Sequence, residues 1–265
     1  MKKILRTWFF RKWYWFISNT DKRAEVLFMN FGYHNDSVTV ALLPGDEKNR
    51  YPIQLYHQLA LRADLELKDI CEVGSGRGGG LAWIHKTFNP KSSIGVDLNP
   101  QAVKFCNQYY LMQDLRFEKG DAQSLPLTDN SFDIVLNVES SHRYPSFELF
   151  LSEAYRILRD DGTLLFTDFR RHIDMDAMNA AILASDFHVM DQEIITPCIL
   201  KALELDDARR RDLVKRLVPK VLQNLALNFA GAKGTETYHN FSENKFVYFV
   251  YVLKKKLKPA QSPEQ

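Results

Sequence analysis

The sequence predicts an α/β protein in which a mostly parallel sheet carries helices on both faces. Three observations predict it. A glycine-rich turn, "CEVGSGRGGG" (71–80), follows an apolar stretch. Short apolar runs then alternate with helix-patterned segments as far as residue 169. A continuous apolar run, "KFVYFVYVLKKK" (245–256), comes near the end. Such alternation sandwiches a parallel sheet between helix layers. Ligands of these sheets sit beyond the carboxyl ends of the strands, so the residues just after each strand matter most.

The elements follow in order. "LKDICEV" (67–73) reads as a buried strand ending in the glycine turn, and "GLAWIHKTF" (80–88) has helical spacing. "SIGVDL" (93–98) is a second strand. Asn99 and Pro100 suit an N-cap and first helical position, with Val103, Cys106 and Tyr110 on one face. "DIVLNV" (133–138) is a further strand. Phe147, Phe150, Leu151, Ala154 and Leu158 share a helical face, and Gly162 suits that helix's C-terminal turn. "TLLFTDF" (163–169) and 187–196 are two more strands. The run 245–256 is too uniformly apolar for a half-exposed strand and reads as buried on both faces. Segment 198–230 is helical, with Pro219 as a break.

With 265 residues, 45% of them hydrophobic, the chain can bury one substantial core with an embellishment. Lys and Arg total 35 against 33 Asp and Glu, and a net charge of +2 gives no electrostatic case for a nucleic-acid partner. Cys71, Cys106 and Cys198 lack C-x-x-C spacing and read as small apolar residues in a reducing, cytoplasmic setting. No run approaches the ~18–20 apolar residues of a membrane span. The start mixes Lys2, Lys3, Arg6, Arg11 and Lys12 with Trp8, Phe9, Phe10, Trp13, Tyr14, Trp15 and Phe16. Arg11 and Lys12 break any signal-peptide core. This segment reads as an aromatic flap over the domain, with peripheral membrane contact as the alternative. The expected organisation is a flap over 1–50, a ligand-binding core over 51–197, a helical insertion over 198–240, the last core strand over 241–257 and a frayed tail over 258–265. The insertion reads as a substrate lid or, more plainly, as extra helical packing.

The acidic residues choose among ligands. Gly74, Gly76 and Gly79 satisfy G-x-G-x-x-G, and Asp97 lies where a ribose-binding carboxylate should stand. An NAD-dependent oxidoreductase satisfies that pattern too. Glu72, two residues before Gly74, would repel a pyrophosphate and suits a ligand carrying a cation, such as a methionine ammonium. Asp121 follows the third strand and offers an acceptor to an adenine amine, with small Ala122 leaving room for a flat ring. The final apolar strand follows the fifth and sixth, as in a seven-stranded sheet whose last strand returns antiparallel.

On "EVGSGRG" (72–78), "GVDLNP" (95–100), "KGDAQSLPLTDNSFDIVLNVES" (119–140) and "FLSEAYRILRDDGTLLFTDF" (150–169), the chain resembles the class I S-adenosylmethionine-dependent methyltransferases. The likeness is closest to small-molecule and lipid O-methyltransferases of the phthiotriolone and antibiotic-sugar types. Sterol and quinone C-methyltransferases are more distant. The resemblance implies a Rossmann-like sheet of seven strands and S-adenosyl-L-methionine as cofactor. It implies that Gly74, Ser75, Gly76 and Gly78 let the backbone approach the methionine and ribose. It places Asp97 on the ribose hydroxyls with Leu98 beside the adenine, Asp121 and Ala122 at the adenine edge, and Asn137 and Glu139 near the sulfonium. Tyr33, in "MNFGYH", is expected to close over the site.

Methyl transfer from a sulfonium is an in-line displacement, and a hydroxyl acceptor must also lose a proton. "ESSHRYP" (139–145) carries His142 and "FTDFR" (166–170) carries Asp168, both at one rim of the sheet. In the antibiotic-sugar enzymes the matching positions hold a catalytic His and Asp, which implies His142 as general base and Asp168 as its orienting partner. Those relatives often carry His-His-Met-Pro-Asp where this chain has Ser-His-Arg-Tyr-Pro. No metal-ligand spacing is found among the histidines. The aromatic N-terminus, Phe28, Phe31 and the insertion suggest an apolar acceptor, lipid or polyketide first and sugar-bearing metabolite second. Transfer to a carbon acceptor, and a methyltransferase-like module without catalysis, remain as alternatives.

Overall fold

The computed structural model describes residues 21, 24–38 and 40–256. The aromatic segment Trp8–Phe16 and the tail therefore lie outside the described residues. Helix α1 (Arg50–Ala60) leads into β1 (Asp69–Val73), α2 (Gly79–Phe88), β2 (Ser92–Asp97), α3 (Pro100–Tyr109) and β3 (Leu115–Lys119). Then come β4 (Phe132–Val138), α4 (Phe147–Ile157), β5 (Leu158–Arg171), α5 (Met175–Ala184) and β6 (Phe187–Ile194). Four helices follow, α6 (Thr196–Leu205), α7 (Asp207–Leu217), α8 (Gln223–Phe229) and α9 (Glu236–Ser242), before β7 (Phe246–Lys255).

The sheet order is β3-β2-β1-β4-β5-β7-β6. β7 runs antiparallel to both β5 and β6, and the pairs from β3 through β5 are parallel. The expected seven-stranded sheet with its antiparallel last strand is thus present. β7 slots between β5 and β6, which explains its unbroken apolar run: Tyr248 to Val252 and Leu253 are buried on both faces. β6 takes the edge, and only its first residue is buried.

Strand alternation sorts the core into two layers. Ile70, Leu136, Leu165 and Val250 pack on one face with α1, α2 and α6. Cys71, Val135, Leu164 and Phe249 pack on the other with α4 and α5. The direction in which strands are added reverses between β1 and β4, because β2 and β3 build outward on one side of β1 and β4 begins the other side. That switch point opens a crevice at the carboxyl ends of β1 and β4.

The N-cap at Asn99 forms as expected: its side chain accepts the Gln101 N–H at 3.0 Å, with Pro100 at the first helical position. One boundary differs from expectation. α4 ends at Ile157, and Leu158 is already extended and paired with Phe132. Gly162 therefore lies inside β5 and does not close the helix. Salt bridges hold the early start of β5: Arg159 meets Asp69 at 2.9 Å and Asp133 at 2.7 Å.

Residues 24–38 form neither helix nor strand and cross the front of the crevice. Gly79 N–H donates to Leu27 O at 3.2 Å. Arg77, buried in the glycine turn, pairs with buried Asp21 at 3.1 Å and lies 3.6 Å from the Phe105 ring centre. This strap is fixed to the turn it covers.

Candidate active site

β1 ends in three left-handed glycines. Gly74, Gly76 and Gly78 have φ of +80°, +54° and +74°, which side-chain-bearing residues adopt only under strain. Space is a second constraint, since a Cβ on Gly74 would stand 2.4 Å from Ser140 Oγ. The Gly74 and Ser75 N–H groups reach across to Val96 O at 2.7 and 3.1 Å, locking the turn onto β2.

Asp97, at the end of β2, accepts the Gly76 N–H through Oδ2 and the Asn99 N–H through Oδ1, each at 2.8 Å. Each oxygen keeps a second lone pair that a diol can use. Burial pushes this carboxyl up, against the two N–H donors that pull it down. Leu98 beside it is 53% exposed, an apolar side chain beside the Asp97 carboxylate. Asp121 is exposed and accepts the Gln123 N–H at 2.9 Å, and Ala122 next to it is buried.

Under the turn, Glu72 is fully buried on β1 and accepts the Tyr56 hydroxyl at 2.7 Å. Burial pushes its carboxyl up to about 8 against the pull of that hydroxyl, with the Asp97 charge adding to the rise. Glu72 Oε2, Ser75 Oγ and Asn137 Oδ1 are buried with no hydrogen-bond partner among the described residues. Unpaired polar atoms are costly inside a protein, and three at one crevice fit a polar ligand that completes them. The Asp97 carboxylate nearby, and Glu72 once ionised, favour a cationic ligand over a pyrophosphate.

Beyond β4 lies the second group. The 3-10 turn Ser141–Arg143 presents His142 to Asp168 on β5. His142 Nδ1 stands 2.8 Å from Asp168 Oδ1, and the His142 N–H donates to Oδ2 at 2.9 Å. Ser141 Oγ–H donates to Oδ2 at 2.7 Å, and Arg170 approaches the same oxygen at 3.2 Å. Burial raises the Asp168 carboxyl, yet His142, Arg170 and Ser141 outweigh it and hold the group well below the usual carboxylate range. An ionised Asp168 can only accept, so Nδ1 carries the imidazole proton and Nε2 is the acceptor. Nε2 receives the Arg143 Nε–H at 3.0 Å. Burial lowers the His142 pKa below 6.5, Asp168 opposes this, and Arg143 and Arg170 add to the lowering. The neutral ring has its one acceptor lone pair at Nε2, engaged here by the Arg143 Nε–H.

The remaining predicted residues take different places. Asn137 is buried and its amide donates to Val73 O at 2.9 Å, Ser140 Oγ at 2.9 Å and Tyr144 Oη at 3.0 Å, tying β4 to the end of β1. Glu139, at φ +46°, accepts the Phe31 N–H and the Tyr248 hydroxyl at 2.7 Å each. Burial pushes it up to about 8 against both donors. Tyr33 does not lie over the turn. It is buried in the core, where its hydroxyl accepts from Asn35 at 3.4 Å and neighbours Cys198. Phe31, on the other side of Gly32 at φ +79°, packs its ring on Phe169 and Phe241. Sequence reading also missed Tyr56, Ser141, Arg143 and Arg170. Arg170 was findable: two residues after Asp168 on one strand, it shares that face.

The glycine turn, the Asp97 carboxylate at the end of β2 and the His–Asp pair at one strand-end edge fit a nucleotide-dependent group-transfer enzyme. The chain belongs to the S-adenosylmethionine-dependent methyltransferases. The family model described as "Methyltransferase domain" matches residues 71–166. A fatty-acid O-methyltransferase of Mycolicibacterium smegmatis is 37% identical over 241 residues, covering 91% of this chain and 86% of that protein. A phthiotriol/phenolphthiotriol dimycocerosates methyltransferase of Mycobacterium tuberculosis is 35% identical over 251 residues, covering 94% and 92%. Among solved structures, a geranyl diphosphate methyltransferase in complex with SAM superposes with a TM-score of 0.64 at 15% identity, covering 87% of this chain and 99% of that one. The [4+2]-cyclase SpnF superposes at 0.67 with 16% identity, covering 93% and 95%. At such identities these two share the fold alone. The cofactor is S-adenosyl-L-methionine, and the oxidoreductase alternative falls. Among the described residues no group of three or more His, Cys, Asp or Glu side chains could hold a metal ion, and no helix is long and apolar enough to cross a membrane.

Proposed function

We propose that this chain methylates an oxygen of a lipid-like acceptor, a hydroxyl in the first place, with His142 as general base. The observation that carries the reading is the 2.8 Å contact between His142 Nδ1 and Asp168 at the strand-end edge that also holds Gly74 and Asp97. When bound, S-adenosylmethionine supplies a methyl group on a positively charged sulfur. Asp97 takes the ribose hydroxyls, Asp121 and Ala122 border the adenine, and Glu72 faces the ammonium. Asp168 fixes the imidazole tautomer, and His142 Nε2 takes the acceptor's proton as the new oxygen–carbon bond forms. The aromatic cluster of Phe31, Phe169 and Phe241, with ring centres 5.2–5.6 Å apart, supplies apolar surface beside the pair. The relatives named for a fatty acid and for phthiotriol support an apolar oxygen acceptor. A labelled methyl donor offered with long-chain hydroxy lipids is expected to give the labelled methyl ether. Label on a ring carbon of a quinone or sterol, and on no lipid oxygen, would replace this reading.

Glu72 makes a second expectation available. In the free protein it holds a proton up to about pH 8. An ammonium against it favours the carboxylate, so the complex binds fewer protons than the free protein. Affinity for S-adenosylhomocysteine therefore rises with pH through the range below about 8 and levels above it. Calorimetry across pH should find this slope in the wild type and lose it in Glu72→Gln. A flat profile in both places the ammonium elsewhere.

A further inference from the structure

The helices between β6 and β7 carry a surface that the methyl-transfer scheme does not use. α7 and α8 are joined by Val218, Pro219 and a 3-10 turn, Lys220–Leu222. They close on a small core of their own, Val214, Val218 and Ala226, apart from the two layers that flank the sheet. Gln223 fixes the corner, its amide donating to Val218 O at 3.0 Å. Val221 and Leu225 stand outside that core, 89% and 43% exposed. They are four residues apart and share the outer face, while Leu222 and Ala226 share the inner one. Single exposed apolar side chains are ordinary. What sets this pair apart is the charge around it.

Residues 205–233 hold seven Lys and Arg against three Asp, whereas the whole chain nets only +2. From Leu213 to Ala232 there are three cations and no acid. Arg216 is committed to Asp212 and Glu25. Lys215 and Lys220 are exposed and make no ion pair among the described residues. Another exposed apolar pair, Ile173 and Leu183, lies in a stretch, 171–186, with three aspartates against one arginine, a poor setting for an anionic partner. A second copy of the chain would bring the same cations against Lys215 and Lys220. The chain's own first twenty residues carry five cations and no acid. An apolar pair flanked by lysines matches a surface that is anionic outside and apolar within.

We infer that the α7–α8 corner is a docking surface for an anionic phospholipid bilayer. Val221 and Leu225 enter the boundary between headgroups and acyl chains, and Lys215 and Lys220 meet lipid phosphates. The inference does not depend on which atom of the acceptor is methylated. Neither signal suffices alone: two apolar side chains attach weakly, and the attraction of two lysines is screened by salt. The corner also lies close to the site. α8 runs from it to Phe229, whose ring centre is 5.4 Å from the guanidinium carbon of Arg143, the neighbour of His142. Seven helical residues span about 10 Å. An apolar acceptor leaving the bilayer at the corner therefore has a short path to the His142 edge.

The test sediments the full chain with vesicles of phosphatidylcholine, alone or mixed with phosphatidylglycerol. The wild type is expected to bind the mixed vesicles more tightly, and less so as salt rises. Lys215→Gln and Lys220→Gln should each weaken that binding about fivefold, the usual worth of one lysine at an anionic surface. Val221→Asp combined with Leu225→Asp should weaken it at least tenfold. Both positions are exposed, so S-adenosylhomocysteine should bind every variant as it binds the wild type, which reports an intact fold. Hydrogen exchange locates the contact: amides of residues 219–225 should slow when mixed vesicles are added. Unchanged vesicle binding in the lysine and the aspartate variants, slowing confined to other segments, or a wild type that ignores both vesicles overturns the inference. A wild-type dimer that Val221→Asp with Leu225→Asp dissociates, with no vesicle binding, overturns it too and makes the corner a contact between copies.

Discussion

His142→Ala is expected to lower kcat for a hydroxyl acceptor by about 10²–10⁴-fold, the usual contribution of a positioned base. A lipid alcohol is a weak nucleophile until its proton leaves. Among the side chains at this edge, His142 is the group with a neutral nitrogen lone pair, and Asp168 keeps it on Nε2. Asp168→Asn should cost a comparable factor. Its carboxylate accepts from Ser141, from the His142 backbone and ring, and from the Phe169 N–H at 2.8 Å. An amide must turn its NH2 against one of those donors, which frees the ring to adopt the wrong tautomer. The pH profile supplies the sign. Only the neutral imidazole works, so kcat/KM for an alcohol rises through the His142 pKa and then levels. Burial, with Arg143 and Arg170, places that pKa below 6.5, so the acid limb should fall on the acid side of an ordinary histidine. Removing the Asp168 charge, which opposes the lowering, should move the limb further down. Wild-type turnover of an alcohol by His142→Ala would end the assignment.

How much of this was readable in the chain follows from the range of each interaction. The glycine turn, the succession of strands up to β5 and the acids at successive strand ends are local patterns, each a few residues long and repeated at the period of a β-α unit. The meeting of His142 with Asp168 was also legible, although they are 26 residues apart, because parallel strands bring their carboxyl ends to one edge. What escaped depends on contacts that no local pattern encodes. Glu72 finds Tyr56 on a helix before the sheet begins, and Glu139 finds Phe31 and Tyr248 from opposite ends of the chain. The start of β5 was hidden because Gly162 reads as the C-terminal turn of the preceding helix. That start is held by the Arg159 ion pairs with β1 and β4. Tyr33 was misplaced because its burial depends on distant partners, among them the Tyr51 carbonyl that accepts its N–H.

Cofactor uptake supplies the second large effect. Asp97→Ala is expected to weaken S-adenosylhomocysteine binding by about 10²–10⁴-fold. Two hydrogen bonds from a ribose diol to an ionised acceptor are worth about 1.5–3 kcal/mol each. The substitution also strips the Gly76 and Asn99 N–H groups of their acceptor, so part of the loss reflects a looser turn. A ligand lacking the 2′-hydroxyl separates the two contributions. It should bind the wild type more weakly than S-adenosylhomocysteine, while Asp97→Ala should hardly distinguish the two ligands. Asp97→Asn should fall between, since an amide keeps one acceptor oxygen and opposes its NH2 to the other backbone donor. Calorimetry reads all three proteins. Wild-type affinity in Asp97→Ala, or an undiminished preference for the full ribose, would move the sugar away from β2.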